Sequence, residues 1–287
     1  MNIPNNCAGI DLKGFLAKGA IRQMLQVQRL CKEINGRPIL SDINFVIEDG
    51  GSLAIVGESG SGKSTLAQLI MALKQPTSGQ VLFNERSLPR KGIKSYKEWY
   101  SDIQIVFQNT ASTLNPAMSL YRCLEEPLIN FTNLKRRERR DKILEYLNKV
   151  GLHRDLLKHR PGKLSGGQYQ RACLAKALII SPKLLICDEI VASLDIVLQQ
   201  QMIELLMSIQ KERGLSLLFI THDLSLVPGL CADILVMKDG KKVEQFNTSA
   251  LHNEEERDIY TITLLKSTES LETTWKQYAT HDNKSTG

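Results

Sequence analysis

Residues 57–65 read Gly57-Glu58-Ser59-Gly60-Ser61-Gly62-Lys63-Ser64-Thr65, and this stretch decides the fold of the chain. It follows the apolar segment Leu53–Val56 and opens a helical pattern that runs from about Lys63 to Leu73. It fits GxxxxGK[ST] throughout, in the strand–loop–helix context that this motif requires. Glycine permits the positive φ values that turn successive N–H groups toward one anion. The stretch predicts a nucleotide site, with Lys63 at the β- and γ-phosphates and the Ser64 hydroxyl as a ligand of Mg²⁺.

A second apolar strand, Leu184–Cys187, ends in two carboxylates, Asp188 and Glu189. Parallel strands of one sheet bring their C-terminal ends to the same edge, so this pair is expected beside the glycine-rich loop. Asp188 would then hold Mg²⁺, directly or through water. Glu189 is the better candidate to orient and deprotonate an attacking water molecule.

The order of elements predicts two regions and a tail. Residues 1–23 are expected to be a flexible extension, or to result from a start codon assigned too far upstream. Residues 24–250 form one nucleotide-binding domain, which begins with antiparallel strands and carries a helical insertion over about 109–164. Further strands are predicted at 79–83, 217–220, 234–238 and 241–246, the last two as a hairpin at Asp239-Gly240, and a helix at 197–210. Residues 251–287 are a partly disordered tail.

Composition excludes several classes of protein. The 287 residues carry a net charge of +6, and the basic run at 135–140 has no interleaved aromatic residues, so it indicates a solvated helix face and no nucleic-acid partner. The six cysteines form no CxxC pair, which favours reduced thiols in the cytosol over disulfides or zinc. No apolar run approaches the roughly 20 residues that cross a bilayer, so any channel must come from other chains.

Leu164-Ser165-Gly166-Gly167-Gln168 is the most discriminating segment. A serine hydroxyl and free amides at the start of a helix form a second anion site, which a generic P-loop protein does not need. The segment resembles the signature motif of ABC transporter ATPases. Gln108 resembles the Q-loop of that family, Ser193-Leu194-Asp195 the D-loop, and His222 the switch histidine. These elements occur in the order of the family over residues 25–245.

The resemblance implies an ABC-type P-loop NTPase fold of the α/β class, with a mixed sheet core, an antiparallel β subdomain and an inserted helical subdomain. Two such domains would close head-to-tail around two ATP molecules. One subunit would contribute the P-loop, Gln108 (also at the metal), Asp188, Glu189 and His222 to each site. The other would contribute Ser165, Gly166 and Gly167, and Leu164, Gln168 and Asp195 are further expected nucleotide-binding residues.

Further residues resemble the oligopeptide, dipeptide and nickel importer branch. They are Gly57–Gly60, Ser112–Pro116, Arg160-Pro161 and Tyr260-Thr261. The stretch 188–199, above all Leu194-Asp195-Ile196-Val197-Leu198-Gln199, is similar to nickel-import ATPases. The branch implies a paralogous ATPase or a second copy as partner, two permease subunits, an extracytoplasmic binding protein, and a place on the cytoplasmic face of the inner membrane. The cargo stays open between nickel, a metal chelate, dipeptides and oligopeptides.

Three positions depart from the family. Ile34 stands where an aromatic residue usually stacks on adenine, Ile190 replaces a common proline, and Asp258-Ile259-Tyr260 replaces a His-Pro-Tyr pattern. Apolar contact between Ile34 and the base survives, without stacking of about 1 kcal/mol. The alternative function is a non-transport ABC ATPase, either regulatory or associated with nucleic acid. The single motif set and the absence of a long heptad-bearing insertion argue against it.

Overall fold

The computed structural model describes residues 22–90, 92–107, 113–192 and 194–267. Within these ranges the strands are β1 (Gln23–Ile34), β2 (Arg37–Glu48), β3 (Ser52–Val56), β4 (Ser78–Phe83), β5 (Arg86–Ser87), β6 (Ile103–Val106), β7 (Leu184–Asp188), β8 (Ser216–Thr221), β9 (Asp233–Lys238) and β10 (Lys241–Asn247). The helices are α1 (Lys63–Ile70), α2 (Ile93–Asp102), α3 (Leu120–Phe131), α4 (Arg136–Lys149), α5 (Gly166–Leu178) and α6 (Ile196–Arg213). Residues 259–267 are also helical.

The strands form two sheets, as the sequence predicts. The six-stranded sheet has the order β10-β9-β3-β8-β7-β6, and the smaller sheet has the order β2-β1-β4-β5 with antiparallel pairing. In the larger sheet β6, β7, β8, β3 and β9 are parallel, and β10 pairs antiparallel with β9. The predicted hairpin turn at Asp239-Gly240 is confirmed, with the positive φ values of 47° and 74° that suit a two-residue turn.

The central sheet is covered on both faces. Leu53 and Ile55 of β3 pack into a cluster with α1 and the antiparallel sheet, whereas Ala54 and Val56 pack into a second cluster with α5 and α6. Both faces are therefore apolar, which explains why β3, β7 and β8 lack the alternation of a half-exposed strand. Because α1 lies between the two sheets, the loop that precedes it is held on a rigid base.

The described part of the predicted helical insertion contains α3, α4 and two short 3₁₀ turns, Arg154–Lys158 and Pro161–Lys163, and no strand. Glu125 of α3 links this helix to α4. Its buried carboxylate accepts hydrogen bonds from the Arg122 guanidinium at 3.0 Å and from the Arg139 guanidinium of α4 at 3.2 Å. The basic run is thus not wholly a solvated face. Arg139 is only partly exposed and paired, whereas Arg136, Arg137 and Arg140 are exposed.

Several elements differ from the sequence-based expectation. Neither α2 nor β6 was predicted, because α2 buries only Trp99 and β6 is a short edge strand. Helix α1 ends at Ile70 and not at Leu73. The indole N–H of Trp99 donates to the Ile70 carbonyl at 3.1 Å, and Ala72 takes a left-handed φ of 55°. Strand β1 begins at Gln23, inside the predicted extension.

Candidate functional site

The glycine-rich loop lies between β3 and α1 in a conformation that its glycines permit. Gly62 precedes α1 with a left-handed φ of 99°. Gly57 has a φ of 154°, and an added Cβ there would overlap the carbonyl oxygen of Met237 on β9. The β9–β10 turn supports the loop from the same side, since the Gly240 amide donates to the Ser61 carbonyl at 3.1 Å. The sequence-based interpretation did not include this support.

Lys63 is 4% exposed and turns its ammonium group back over the loop. Its Nζ donates to the carbonyl oxygens of Gly57 at 2.7 Å and Glu58 at 2.8 Å. It also lies 3.9 Å from Oε1 of Glu189. Burial lowers the pKa of Lys63, against the opposing charges of Glu189, Asp188 and Glu58. This is a desolvated cation at the N-terminus of a helix, which suits an anionic ligand.

Asp188 and Ser64 meet across the site. The Ser64 hydroxyl donates to Oδ1 of Asp188 at 3.2 Å, so β7 and α1 bring together two hard oxygen atoms of the kind that a small divalent cation binds. Asp188 is 3% exposed. Burial raises the pKa of its carboxyl group; the Ser64 hydrogen bond and the charge of Lys63 oppose the rise, and the charge of Glu189 adds to it.

Glu189 connects two other predicted residues. One carboxylate oxygen lies 3.9 Å from Lys63 Nζ, and the other lies 3.5 Å from Nδ1 of His222, which is exposed. Glu189 has a φ of 50°, a value that costs energy for a residue with a side chain and that clusters at functional sites. Its amide donates to the Ile220 carbonyl at 2.9 Å, so the register of β7 and β8 holds the turn.

The signature segment begins α5. The Ser165 hydroxyl accepts from the Gln168 amide at 3.3 Å, and the Gln168 side chain accepts from the Ser165 amide at 3.0 Å, which together form a capping box. Gln168 therefore has a structural partner within its own segment. Gly166 has open space at its Cβ position, whereas Gly167 packs against Leu198. Leu164 is half-buried against the core.

The remaining predicted residues lie in different surroundings. Asp195 caps α6, because its Oδ1 accepts from the Leu198 amide at 2.9 Å. Ile34 ends β1 with 38% of its surface exposed. Of the loop residues, Glu58, Ser59 and Gly60 are exposed, and Thr65 is half-buried at the start of α1. Gln108 and Ser193 lie outside the described residues.

Two residues at the site were missed as functional residues. The Tyr260 hydroxyl accepts from the Glu58 amide at 3.2 Å, and the Gln170 side-chain amide donates to the Ile190 carbonyl, directly after Glu189. Gln170 follows the signature segment, but nothing in the local pattern indicates its partner. Tyr260 stands 202 positions from Glu58, so only the folded chain brings the two together.

The loop also fits a ligand rich in oxygen atoms. The Ser61 hydroxyl is buried and has no hydrogen-bond partner among the described residues. A buried hydroxyl without a partner is costly, and an oxygen atom bound in the loop would satisfy it. The chemistry of the loop is therefore that of an anion cradle with a cation and a carboxylate pair at its rim.

Comparison with known proteins agrees with this geometry. The family model described as "ABC transporter" matches residues 40–192. The nickel import ATP-binding protein NikE of Shigella boydii is 42% identical over 72% of this chain and 77% of its own length. The dipeptide transport ATP-binding protein DppF of Escherichia coli K12 is 38% identical over 91% of this chain and 76% of its own length. A solved dimer of the ATP-binding cassette MJ0796, in a post-hydrolysis state with ADP and Pi, superposes with a TM-score of 0.72. It is 28% identical and covers 78% of this chain and 99% of its own.

The chain belongs to the ABC transporter family, as an ATP-hydrolysing cassette of that family. The predicted fold class is confirmed. The alternative of a non-transport ATPase is not favoured by these relatives. No helix in the described ranges is long and apolar enough to cross a membrane.

Proposed function

We propose that this chain is one half of the motor pair of a bacterial importer, and that it couples binding and hydrolysis of MgATP to uptake. The observation that carries the proposal is the convergence of Lys63, Asp188 and Glu189 at the C-terminal edge of the parallel sheet. A buried cation, a metal-binding carboxylate and a second carboxylate for water are the groups that phosphoryl transfer to water uses.

The P-loop residues 57–65 would hold the phosphates of ATP through their amides and Lys63. Ser64 and Asp188 would hold Mg²⁺, with Gln108 as a third predicted ligand. The hydroxyl and carboxylate are 3.2 Å apart, which supports this assignment. When bound, Mg²⁺ would neutralise part of the phosphate charge. Lys63 would supply the remaining positive charge from within a buried site, where electrostatic interactions are strong.

Glu189 would orient the attacking water and accept its proton. Its two oxygens face Lys63 and His222 at 3.9 and 3.5 Å, so the carboxylate is held from both sides. His222 would contact the γ-phosphate from the exposed side of the site. The isoleucine at 34 would give the adenine an apolar contact without stacking, which predicts modest affinity for ATP.

A neighbouring molecule would complete each site. Gly166 has open space at its Cβ position and Ser165 is the N-cap of α5, features that support a second phosphate contact by Ser165, Gly166 and Gly167 at the N-terminus of a helix. The neighbour would be a second copy or a paralogous ATPase, in the manner of the related cassette dimer. Leu164, Gln168 and Asp195 would then shape the helix starts that meet the partner's nucleotide.

The proposals for the remaining partners and for the cargo are based on the relatives of this chain. Two permease subunits and an extracytoplasmic binding protein would complete the importer, with this chain on the cytoplasmic face of the inner membrane and no nucleic acid involved. Nickel or a metal chelate, and dipeptides or oligopeptides, are the two cargo classes. Uptake of radiolabelled nickel against radiolabelled peptide in a deletion strain would separate them.

The substitution Glu189→Gln tests the motor assignment. It keeps the size and hydrogen bonding of the side chain but removes the base, so we expect turnover to fall by roughly 100-fold or more. MgATP should still bind and should now trap a dimer, detectable by size-exclusion chromatography with light scattering. Glu204→Gln on the exposed side of α6 is the matched control and should behave as the wild type. Normal turnover by Glu189→Gln would remove Glu189 from this role.

A further inference from the structure

The chain after β10 returns to the P-loop. Residues 254–267, here named the C-terminal clasp, include a 3₁₀ turn at Glu254–Glu256 and the helical residues 259–267. Tyr260 projects from the clasp into the protein and is 8% exposed. Its hydroxyl accepts a hydrogen bond from the Glu58 amide at 3.2 Å.

This bond holds one end of a peptide group that Lys63 holds at the other. The peptide group is the one between Gly57 and Glu58: the Gly57 carbonyl accepts from Lys63 Nζ at 2.7 Å, and the Glu58 amide donates to Tyr260. Gly60, two residues further along the loop, lies in open space with a φ of 86°. Tyr260 therefore restrains the part of the loop on which the buried lysine rests.

A network on β10 sets the position of Tyr260. One oxygen of Glu244 accepts from the Arg257 guanidinium and the other from the Asp258 amide, both at 3.1 Å. Arg257 also lies over the ring of Phe246, 4.0 Å from its centroid. Asp258 then accepts from the Tyr260 amide at 2.8 Å and starts the helical segment.

A contact with Lys238 and the burial of the clasp hold Tyr260 in place. Lys238, at the end of β9, places its ammonium nitrogen 4.6 Å from the centre of the ring. Leu264 and Leu265, one turn further along the clasp, are buried in the main core. Tyr260 thus contacts the β9–β10 hairpin, which also approaches Gly57. These contacts restrict the position of the Tyr260 hydroxyl next to the loop.

We propose that Tyr260 is a positioning residue for the nucleotide site: the C-terminal clasp keeps the Glu58 peptide and Lys63 in the conformation that accepts the triphosphate. The inference rests on the proposed ATPase function. A preorganised loop binds its ligand without a further ordering cost, so removal of the restraint weakens binding and leaves the chemical step largely intact.

The test is Tyr260→Phe, which keeps the ring, its burial and its contact with Lys238. Loss of the hydrogen bond to the Glu58 amide should raise the KM and the dissociation constant for ATP roughly 3- to 10-fold, with kcat within about 2-fold of the wild type. Tyr96→Phe, which removes a hydroxyl from α2, is the matched control. A purely structural role would lower the melting temperature without separating KM from kcat.

A second variant tests whether the clasp acts through Tyr260. Glu244→Gln should weaken ATP binding less than Tyr260→Phe does, and the double variant should match Tyr260→Phe alone, because both changes act on the same contact. Unchanged ATP binding in Tyr260→Phe, or fully additive effects in the double variant, would overturn the inference. Lys63→Ala separates the two proposals: if the wild type binds MgATP and Lys63→Ala does not, the proposed function stands whatever Tyr260→Phe does.

Discussion

Asp188 and Lys63 are both nearly inaccessible to water, and each has a pKa displaced toward its neutral form. Burial is the main cause in both cases, and their mutual attraction compensates only in part. Burial of such a pair lowers the free energy of unfolding, and apolar residues in the same place would not. A destabilising buried pair of this kind is typical of a site that binds a charged ligand. The left-handed φ of Glu189 is a further cost at the same place.

This cost leads to a prediction for Asp188→Asn. A carboxyl group whose pKa is raised by folding destabilises the protein at pH values above that raised pKa, and the penalty disappears below the ordinary pKa of aspartate. The amide variant has no such penalty at any pH. We expect it to be more stable than the wild type by about 1 kcal/mol near neutral pH, and this difference should vanish on acidification.

Denaturant titrations across pH measure this difference, and ATPase assays on the same preparations should show loss of magnesium-dependent turnover. Asp141→Asn, on the exposed face of α4, is the control and should leave both quantities near those of the wild type. An Asp188→Asn protein that is less stable at every pH would contradict the reasoning.

Two elements of the site, α5 and α6, begin with a capped first turn. Ser165 caps α5 and Asp195 caps α6, and Gly167 of the first helix packs against Leu198 of the second. The signature segment therefore has a structural task besides its proposed contact with nucleotide. The two tasks can be separated, because capping needs only an acceptor oxygen, whereas a phosphate contact depends on charge.

We predict opposite outcomes for two changes at Ser165. Ser165→Ala removes the cap and should lower the free energy of unfolding by about 1 kcal/mol. Ser165→Asp retains a capping oxygen and should keep the stability of the wild type, but its negative charge should repel the phosphate bound by the neighbour and abolish turnover. Thermal melts and ATPase rates measure the two effects. Equal turnover in Ser165→Asp and the wild type would exclude the phosphate contact.

In the whole molecule, the P-loop, Asp188, Glu189 and His222 gather at one sheet edge, while Ser165 and Gln168 of the signature segment cap the start of α5. Under the proposed function, one copy would carry two different half-sites. In a head-to-tail pair, the P-loop half of each copy would face the signature half of the other. The two-fold axis would repeat this contact, so the same surface of both copies would be buried, as in other closed dimers.

This arrangement predicts complementation between two inactive variants. Lys63→Ala and Ser165→Asp each disable both sites of a pair made from one variant. A mixed pair has one site with both lesions and one site with neither, so ATPase activity should return when the purified variants are combined. Titration of one variant into the other measures the recovery. A mixture that stays inactive would exclude pairing between copies of this chain and leave a paralogous ATPase as the partner.

Local patterns in the sequence were sufficient for much of the fold. The apolar run of β3, the glycines at 57, 60 and 62 and the lysine after them specify a strand, a loop and a helix within a dozen residues, because each requirement acts on the backbone beside it. Asp188 and Glu189 were placed near the loop by the same means, since parallel strands share an edge. Helix α2 and strand β6 were not predictable in this way, because α2 buries only Trp99 and β6 is a four-residue edge strand.

By itself, the sequence determined a P-loop nucleotide site, because the glycines, the lysine and the paired carboxylates each serve a local chemical need, and its resemblance to the family motifs implied an ATPase of the ABC type. Tertiary structure alone decided which distant groups meet. The contact of Tyr260 with Glu58, the approach of Met237 to Gly57 and the bridging position of Glu189 depend on strand register and on the path of the chain. The local propensities of the residues do not predict such contacts, because these contacts contribute free energy only after the distant segments have packed together.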